Sequence, residues 1–280
     1  MAPLHQFYGI PGVPLHVEGD PGDAVTAWHS QRTRLHDWLA ALPDDAWGGP
    51  TRCEGWDTTL LVRHLASATQ FLAYTLLEAS RGTATTLLQG MDTRTTVASA
   101  AALLGDRPPA EARALLAEQD RAVDAALEAL GAPGGAGLLA TAEAPPGHVA
   151  AHVSLRHFLF DSWVHEYDLL LPRGDQPVVD RLEAEVVVGY LVGLAAVGTA
   201  VEAAPVALDL RITDPGMQIG VRDADGITVV TPGRAEEGAA ALDGRAVDVV
   251  DRLTGRSGGA VTGDDAGLAV LDRFALVLST

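Results

Sequence analysis

The 280-residue chain contains no lysine: all nineteen of its basic residues are arginine. That absence excludes a Schiff-base lysine, a phosphate-binding P-loop lysine and a lysine general base. Cysteine is nearly absent as well. Cys53 stands alone, so no internal disulfide can form and nothing in the chain calls for an oxidising compartment. Positive charge is scarce overall, with 37 acidic residues against 19 basic ones and a net charge of −18. Nucleic acids and anionic membranes need clustered cations to displace counterions, so neither is an expected partner. No run reaches the roughly 18 consecutive apolar residues of a membrane span. The nearest, Val186 to Val201, is broken by glycines and flanked by Glu183, Glu185 and Glu202, and reads as a buried core helix. The N-terminal stretch MAPLHQFYGIPGVPLHVEGDPG has neither a basic n-region nor an apolar run of signal-peptide length. These absences predict a soluble cytoplasmic protein; a small-molecule substrate is the expected partner, and the chain is expected as a monomer or homodimer.

What is present is core material. Hydrophobic residues make up 48 % and charged residues only 20 %, enough to fill one large domain or two ordinary ones. Residues 1–22 read as an extended arm. From Asp23 to Leu42, Trp28, Leu35, Trp38, Leu39 and Leu42 recur at helical spacing. Asp57 or Thr58 can cap a second helix that runs to about Gly82. Thr83 to Asp106 looks mostly helical, Ala110 to Leu130 is strongly amphipathic, and a further helix is predicted from Pro145-Pro146-Gly147 to about Leu171. Together these make residues 23–173 an all-α bundle of four or five helices. Residues 174–280 change character. A helix over Val178–Glu202 precedes alternating segments at 206–212, 217–221 and 227–231, which predict a three-stranded antiparallel meander. Gly244–Leu253 and Ala266–Leu278 look helical again. The fold class is α+β, a helical bundle followed by a smaller domain with a short antiparallel sheet.

Histidine carries the chemistry. His148, His152, His157 and His165 all fall within the predicted helix after Pro146. At about 100° per residue, His157, Asp161, His165 and Asp168 share one face, while His148 and His152 lie on the other. Asp161 and His165 are one turn apart, so a carboxylate and an imidazole can address one ion. On the second helix, His64 shares an inward stripe with Leu60, Leu61, Ser67, Ala68, Phe71 and Thr75. Inward histidines and a carboxylate from different helices are how bundles build metal sites, and three protein ligands leave a position open for catalysis. His157 is a possible additional ligand, and Asp168 an outer acceptor or an arginine partner. The same spacing also suits a metal-free arrangement, with Asp161 and His165 paired inside a buried polar network.

The run TRCEGWDTTLLVRHLAS resembles the signature of the mycothiol-dependent maleylpyruvate isomerase family, in which a Cys-x-Gly-Trp loop opens a helix bearing a metal-binding histidine. The matching positions are Cys53, Gly55, Trp56 and His64. RHFLFDSWVHEYDLLLPRG resembles the family's second block, with Asp161, His165 and Asp168 at its acid, histidine and aspartate positions. The Leu253-Thr254-Gly255-Arg256 run resembles a Gly-Arg element late in the second domain. The resemblance implies a DinB-like metal-binding bundle, a sterol-carrier-like C-terminal domain and a divalent metal, usually zinc, held by His64, Asp161 and His165. It also implies mycothiol as the thiol, Trp56 and Arg256 as substrate- or cofactor-binding residues, and Cys53 as a packing residue. The sequence departs from the family at Asp161, where glutamate is usual, and in its additional N-terminal arm.

Three functions are compatible with these features. The first is activation of a low-molecular-weight thiol for isomerisation or S-transfer on a small electrophilic metabolite. The second keeps the metal but uses a bound water, as in a hydrolase, cyclase or lyase. The third is a non-catalytic ligand-binding protein that kept the fold.

Overall fold

The computed structural model describes residues 14–89, 107–202, 207–235, 237–256 and 259–278. The chain divides into two compact units, a helical one over Val25–Val178 and a mixed one that combines Gly12–Ala24 with Val179–Thr280.

The helical unit is built on α1 (Gly22–Ala41), α2 (Thr58–Ser80), α3 (Pro109–Gly131) and α4 (Ala151–Leu170), with short 3-10 turns at Asp44–Gly48 and Leu171–Arg173. α2 starts where the sequence places its cap: the Asp57 carboxylate accepts the Leu60 N–H at 2.7 Å, satisfying one free donor of the first turn. α3 opens with proline at its first position, where the missing N–H costs nothing. Leu35 and Leu39 of α1, Leu61, Val62 and Leu65 of α2, Leu116 of α3 and Leu169 of α4 form one buried cluster closed by Trp47. α1 is tied on by polar side chains too. Arg34 forks onto the buried Glu166 carboxylate at 2.7 and 2.8 Å, and Gln31 donates to the same carboxylate at 3.0 Å.

Two expectations need correction here. The helix predicted from Gly147 begins only at Ala151, because Thr141–Ala144 (β2) and Gly147–Ala150 (β3) pair as an antiparallel hairpin. Gly147 sits at φ 128°, a conformation no helix uses. His148 therefore lies on a strand. The hairpin is held by Glu143, whose backbone N–H donates to Thr75 Oγ1 at 2.7 Å. The buried Glu143 carboxylate also accepts from the Thr85 hydroxyl and from the backbone N–H groups of Leu87 and Leu88. Those N–H groups serve Glu143 instead of a helix, so 83–89 is irregular and not helical. The remainder of that predicted helix, 90–106, lies outside the described residues.

In the mixed unit, β4 (Leu208–Ile212), β5 (Met217–Ala224) and β6 (Ile227–Pro232) form the antiparallel meander. The tight β5–β6 hairpin turns through Asp225 at φ 56° and Gly226 at φ 83°, the pair of left-handed residues that matches strand twist. The sheet is larger and more mixed than the sequence predicts. β1 (Leu15–Val17), the described end of the expected arm, pairs parallel with β6, while β7 (Ala240–Gly244) pairs parallel with β4 and antiparallel with β8 (Thr262–Gly263). The order is β1-β6-β5-β4-β7-β8. Helices α5 (Arg181–Glu202), α6 (Ala246–Leu253) and α7 (Asp265–Leu278) complete the unit. α5 is apolar and long enough to cross a membrane, yet 89 % of its most apolar window is buried within the protein. Gly193 lets it approach the sheet closely: a Cβ there would stand 2.6 Å from Val230 and 2.8 Å from Leu15.

Candidate metal centre

The site lies wholly in the helical unit, where α2, α4 and the loop before α2 converge. His64, Asp161 and His165 each offer one ligand atom, and these atoms lie within 4.8 Å of one another. His64 Nε2 stands 3.2 Å from Asp161 Oδ2, and His165 Nε2 stands 3.5 Å from Asp161 Oδ1. The two imidazoles meet edge to face, with centroids 4.9 Å apart. Trp56 places its ring at a steep angle to His64, 5.5 Å between centroids, and so limits where that imidazole can turn. The side chains are only 10 %, 25 % and 13 % exposed for His64, Asp161 and His165, so each sits at the rim of the core.

Asp168 organises the back of the site. Its side chain is fully buried, and Oδ2 accepts His165 Nδ1–H at 2.9 Å and the Cys53 thiol at 3.3 Å. Oδ1 accepts Arg52 Nε–H at 2.9 Å. Arg52 also donates its backbone N–H to the Asp168 carbonyl at 3.1 Å, buttoning the loop onto the end of α4. With Nδ1 hydrogen-bonded to a carboxylate, His165 presents Nε2 toward Asp161 and His64. A carboxylate behind a ligating imidazole is the arrangement that fixes tautomer and ring orientation in metal sites.

The electrostatics follow from burial and pairing. Burial is the largest influence on Asp161 and acts to raise its pKa, but the charges and hydrogen bonds of His64 and His165 outweigh it and hold the carboxyl well below its usual range. Burial likewise disfavours the charged form of His165, and Asp161, then Asp168 and Cys53, overcome it and raise the imidazole pKa well above normal. Asp161 is thus an anion flanked by two nitrogen donors, a donor set that suits a borderline divalent cation such as zinc. Three protein donors leave a position for a thiol, a water or a substrate oxygen.

The structure does not bring His157 into this group. Its ring packs edge-on against Phe158 and Phe160, and burial pushes its pKa down to about 4. Arg256 belongs to the mixed unit, where its N–H donates to the Asp251 carbonyl after α6. Sequence reasoning missed Arg52 and treated Cys53 as packing alone. Cys53 does pack against the core cluster, but its sulfur also stands 3.7 Å from His165 Nδ1. The available signal was position: both residues belong to the loop that carries Trp56 into α2.

The fold and the site together define a class, a helical bundle with a His–Asp–His cluster on its inward face, joined to an α+β unit. Residues 28–170 match the family described as the mycothiol maleylpyruvate isomerase N-terminal domain, and the chain belongs to that family. Two solved structures share the fold. One is a crystal structure of the mycothiol-dependent maleylpyruvate isomerase, with TM-score 0.59 and 18 % identity, covering 95 % of this chain and 97 % of that one. The other is a histidine-to-alanine mutant of the mycothiol-dependent maleylpyruvate isomerase, with TM-score 0.58 and 18 % identity, covering 94 % and 96 %. No curated protein matches the sequence.

Proposed function

We propose that the protein is a cytoplasmic isomerase or thiol S-transferase that uses mycothiol on a small electrophilic metabolite, with a divalent cation, zinc by donor chemistry, held by His64, Asp161 and His165. The observation that carries this is the convergence of those three donors within 4.8 Å in a chain of the mycothiol maleylpyruvate isomerase family. A cation in such a set favours the thiolate form of a thiol that reaches it, and the thiolate is the reactive nucleophile.

The remaining roles belong to the chain. His64 and His165 would supply the nitrogen ligands of the cation, and Asp161 the anionic oxygen. Asp168 engages His165 Nδ1 and so leaves Nε2 as the ring atom that would face the cation. Trp56 restrains the His64 ring by its edge-on contact. With no lysine in the chain, arginine is the cation left for recognising oxyanions; Arg256, in the mixed unit, is our assignment for a carboxylate or a polar part of the cofactor, which its guanidinium can bind in bidentate fashion.

The test has two arms. Protein purified without added metal is expected to carry about one equivalent of a divalent ion, lost in His64→Ala and His165→Ala. Mycothiol added to an assay with a maleyl-type acid is expected to drive cis–trans conversion or thioether formation. Turnover that is indifferent to thiol would instead favour a water-based hydrolase or lyase. A metal-free wild type that binds no zinc would overturn the proposal.

A further inference from the structure

A second group of donors stands directly behind the first. Cys53 Sγ, His165 Nδ1 and Asp168 Oδ2 form a triangle with edges of 3.3 Å from sulfur to oxygen, 3.7 Å from sulfur to nitrogen and 2.9 Å from nitrogen to oxygen. A tetrahedral ion with bonds of about 2.3 Å to sulfur and about 2.0–2.1 Å to nitrogen and oxygen spaces such ligands about 3.3–3.6 Å apart. Both sulfur edges already lie close to that spacing, and only the nitrogen–oxygen edge must widen, by about 0.4 Å. The loop is fixed for the purpose. Arg52 bonds the Asp168 carbonyl and Oδ1, leaving Oδ2 turned to the triangle, while Thr51 Oγ1 accepts the Cys53 N–H at 3.0 Å. Cys53 is half-buried and His165 is 13 % exposed, so the triangle lies near the surface while Asp168 beneath it is buried.

We propose that Cys53, His165 and Asp168 form a second site, selective for thiophilic divalent cations, that competes with the His64–Asp161–His165 set for the one imidazole they share. The thiol loses its proton to solvent on binding, as metal-bound cysteine does. The competition follows from the ring itself. A neutral imidazole has one lone pair and one N–H. An ion on Nδ1 moves the proton to Nε2, where it donates to Asp161, and His165 is withdrawn from the first set. Soft sulfur ligation favours thiophilic ions, whereas the nitrogen–oxygen set suits a borderline ion. The second site therefore turns excess soft metal into an inhibitor. The competition rests on the reading of the first set as a zinc site; the existence of the second site does not.

Cadmium chloride is the probe. Titrated into the full-length protein it is expected to raise the ultraviolet sulfur-to-cadmium charge-transfer band, saturating at about one thiolate per chain. Cys53→Ser is expected to abolish the band, while His64→Ala keeps it, because His64 takes no part in the second set. In protein preloaded with one equivalent of zinc, cadmium is expected to release that zinc to a chromogenic chelator, with release at least tenfold slower or weaker in Cys53→Ser. No band in the wild type, or a band lost in His64→Ala, overturns the second site. A full band with zinc retained overturns the competition. A band in protein that never took up zinc leaves the second site standing and defeats the proposed function instead.

Discussion

Replacing Asp168 by asparagine tests whether the carboxylate behind His165 sets the metal affinity of the site. The carboxylate accepts Arg52 Nε–H and His165 Nδ1–H at 2.9 Å each and the Cys53 thiol at 3.3 Å. The asparagine carbonyl can serve only some of these donors, and its NH2 group must face at least one of the others. Removing one partner of a fully buried charge pair costs about 3–5 kcal/mol. The Arg52 side chain is 19 % exposed, so water recovers part of that, and about 2–3 kcal/mol of apoprotein stability is the expected loss. Loss of an outer carboxylate weakens metal binding about 10–100-fold, or about 1.4–2.7 kcal/mol. The assay pairs urea denaturation of metal-free protein with zinc competition against a chelator of known affinity. Arg52→Met separates the two effects. It breaks the ion pair but leaves the His165–Asp168 bond, so stability is expected to fall while zinc affinity changes less than in Asp168→Asn. A folded Asp168→Asn protein that binds zinc as tightly as wild type would refute the reasoning.

Other expected outcomes follow from the same structure. The pKa of His157 lies near 4 in the folded chain against 6.5 ordinarily, so the native state binds fewer protons than the unfolded one between those values. Its contribution is fully present above the ordinary value and lost as pH falls toward 4; the stability drop from about pH 7 to about pH 4.5 should be about 2 kcal/mol smaller in His157→Phe, read by denaturant melts. Gly193→Val forces α5 off Val230 and Leu15 and should cost about 1–3 kcal/mol by the same measure. Glu143→Gln removes the anion that gathers Thr85, Leu87 and Leu88, and should speed proteolysis within 83–89 while destabilising the unit by about 1–3 kcal/mol.

What could be read from the sequence was whatever short-range chemistry decides. The Asp57 cap, the apolar stripe of α1 and the alternation of β4 and β5 are local signals, and the elements appear where those signals put them. His64 on an inward stripe and Asp161 one turn before His165 needed only helical geometry, and the three side chains do meet. The rest depends on partners distant in sequence. The β2–β3 hairpin and the irregular 83–89 segment are decided jointly by Glu143, Thr75 and Thr85, and no local pattern announces that. β7 is the run Ala-Ala-Leu-Asp-Gly, without one β-branched residue, and is a strand because β4 offers it a parallel edge. Arg52 and Cys53 gain their roles only when the loop folds back onto Asp168, more than a hundred positions away.

The pairing of β1 with β6 bears on how the chain is made. Leu15 lies opposite Thr228, so β1, the first strand among the described residues, must wait for a partner synthesised far later. At about 5–20 residues per second that interval is on the order of 10–40 s. The intervening helical unit has time to fold before the sheet can close at that edge. Until it closes, Val229 and Val230 of β6 present an unpaired edge of the kind that recruits other chains. Nor can the two units be separated by a single cut. Cleavage near Val178 leaves β1 on the wrong fragment, and an α+β piece made that way would carry the open edge permanently.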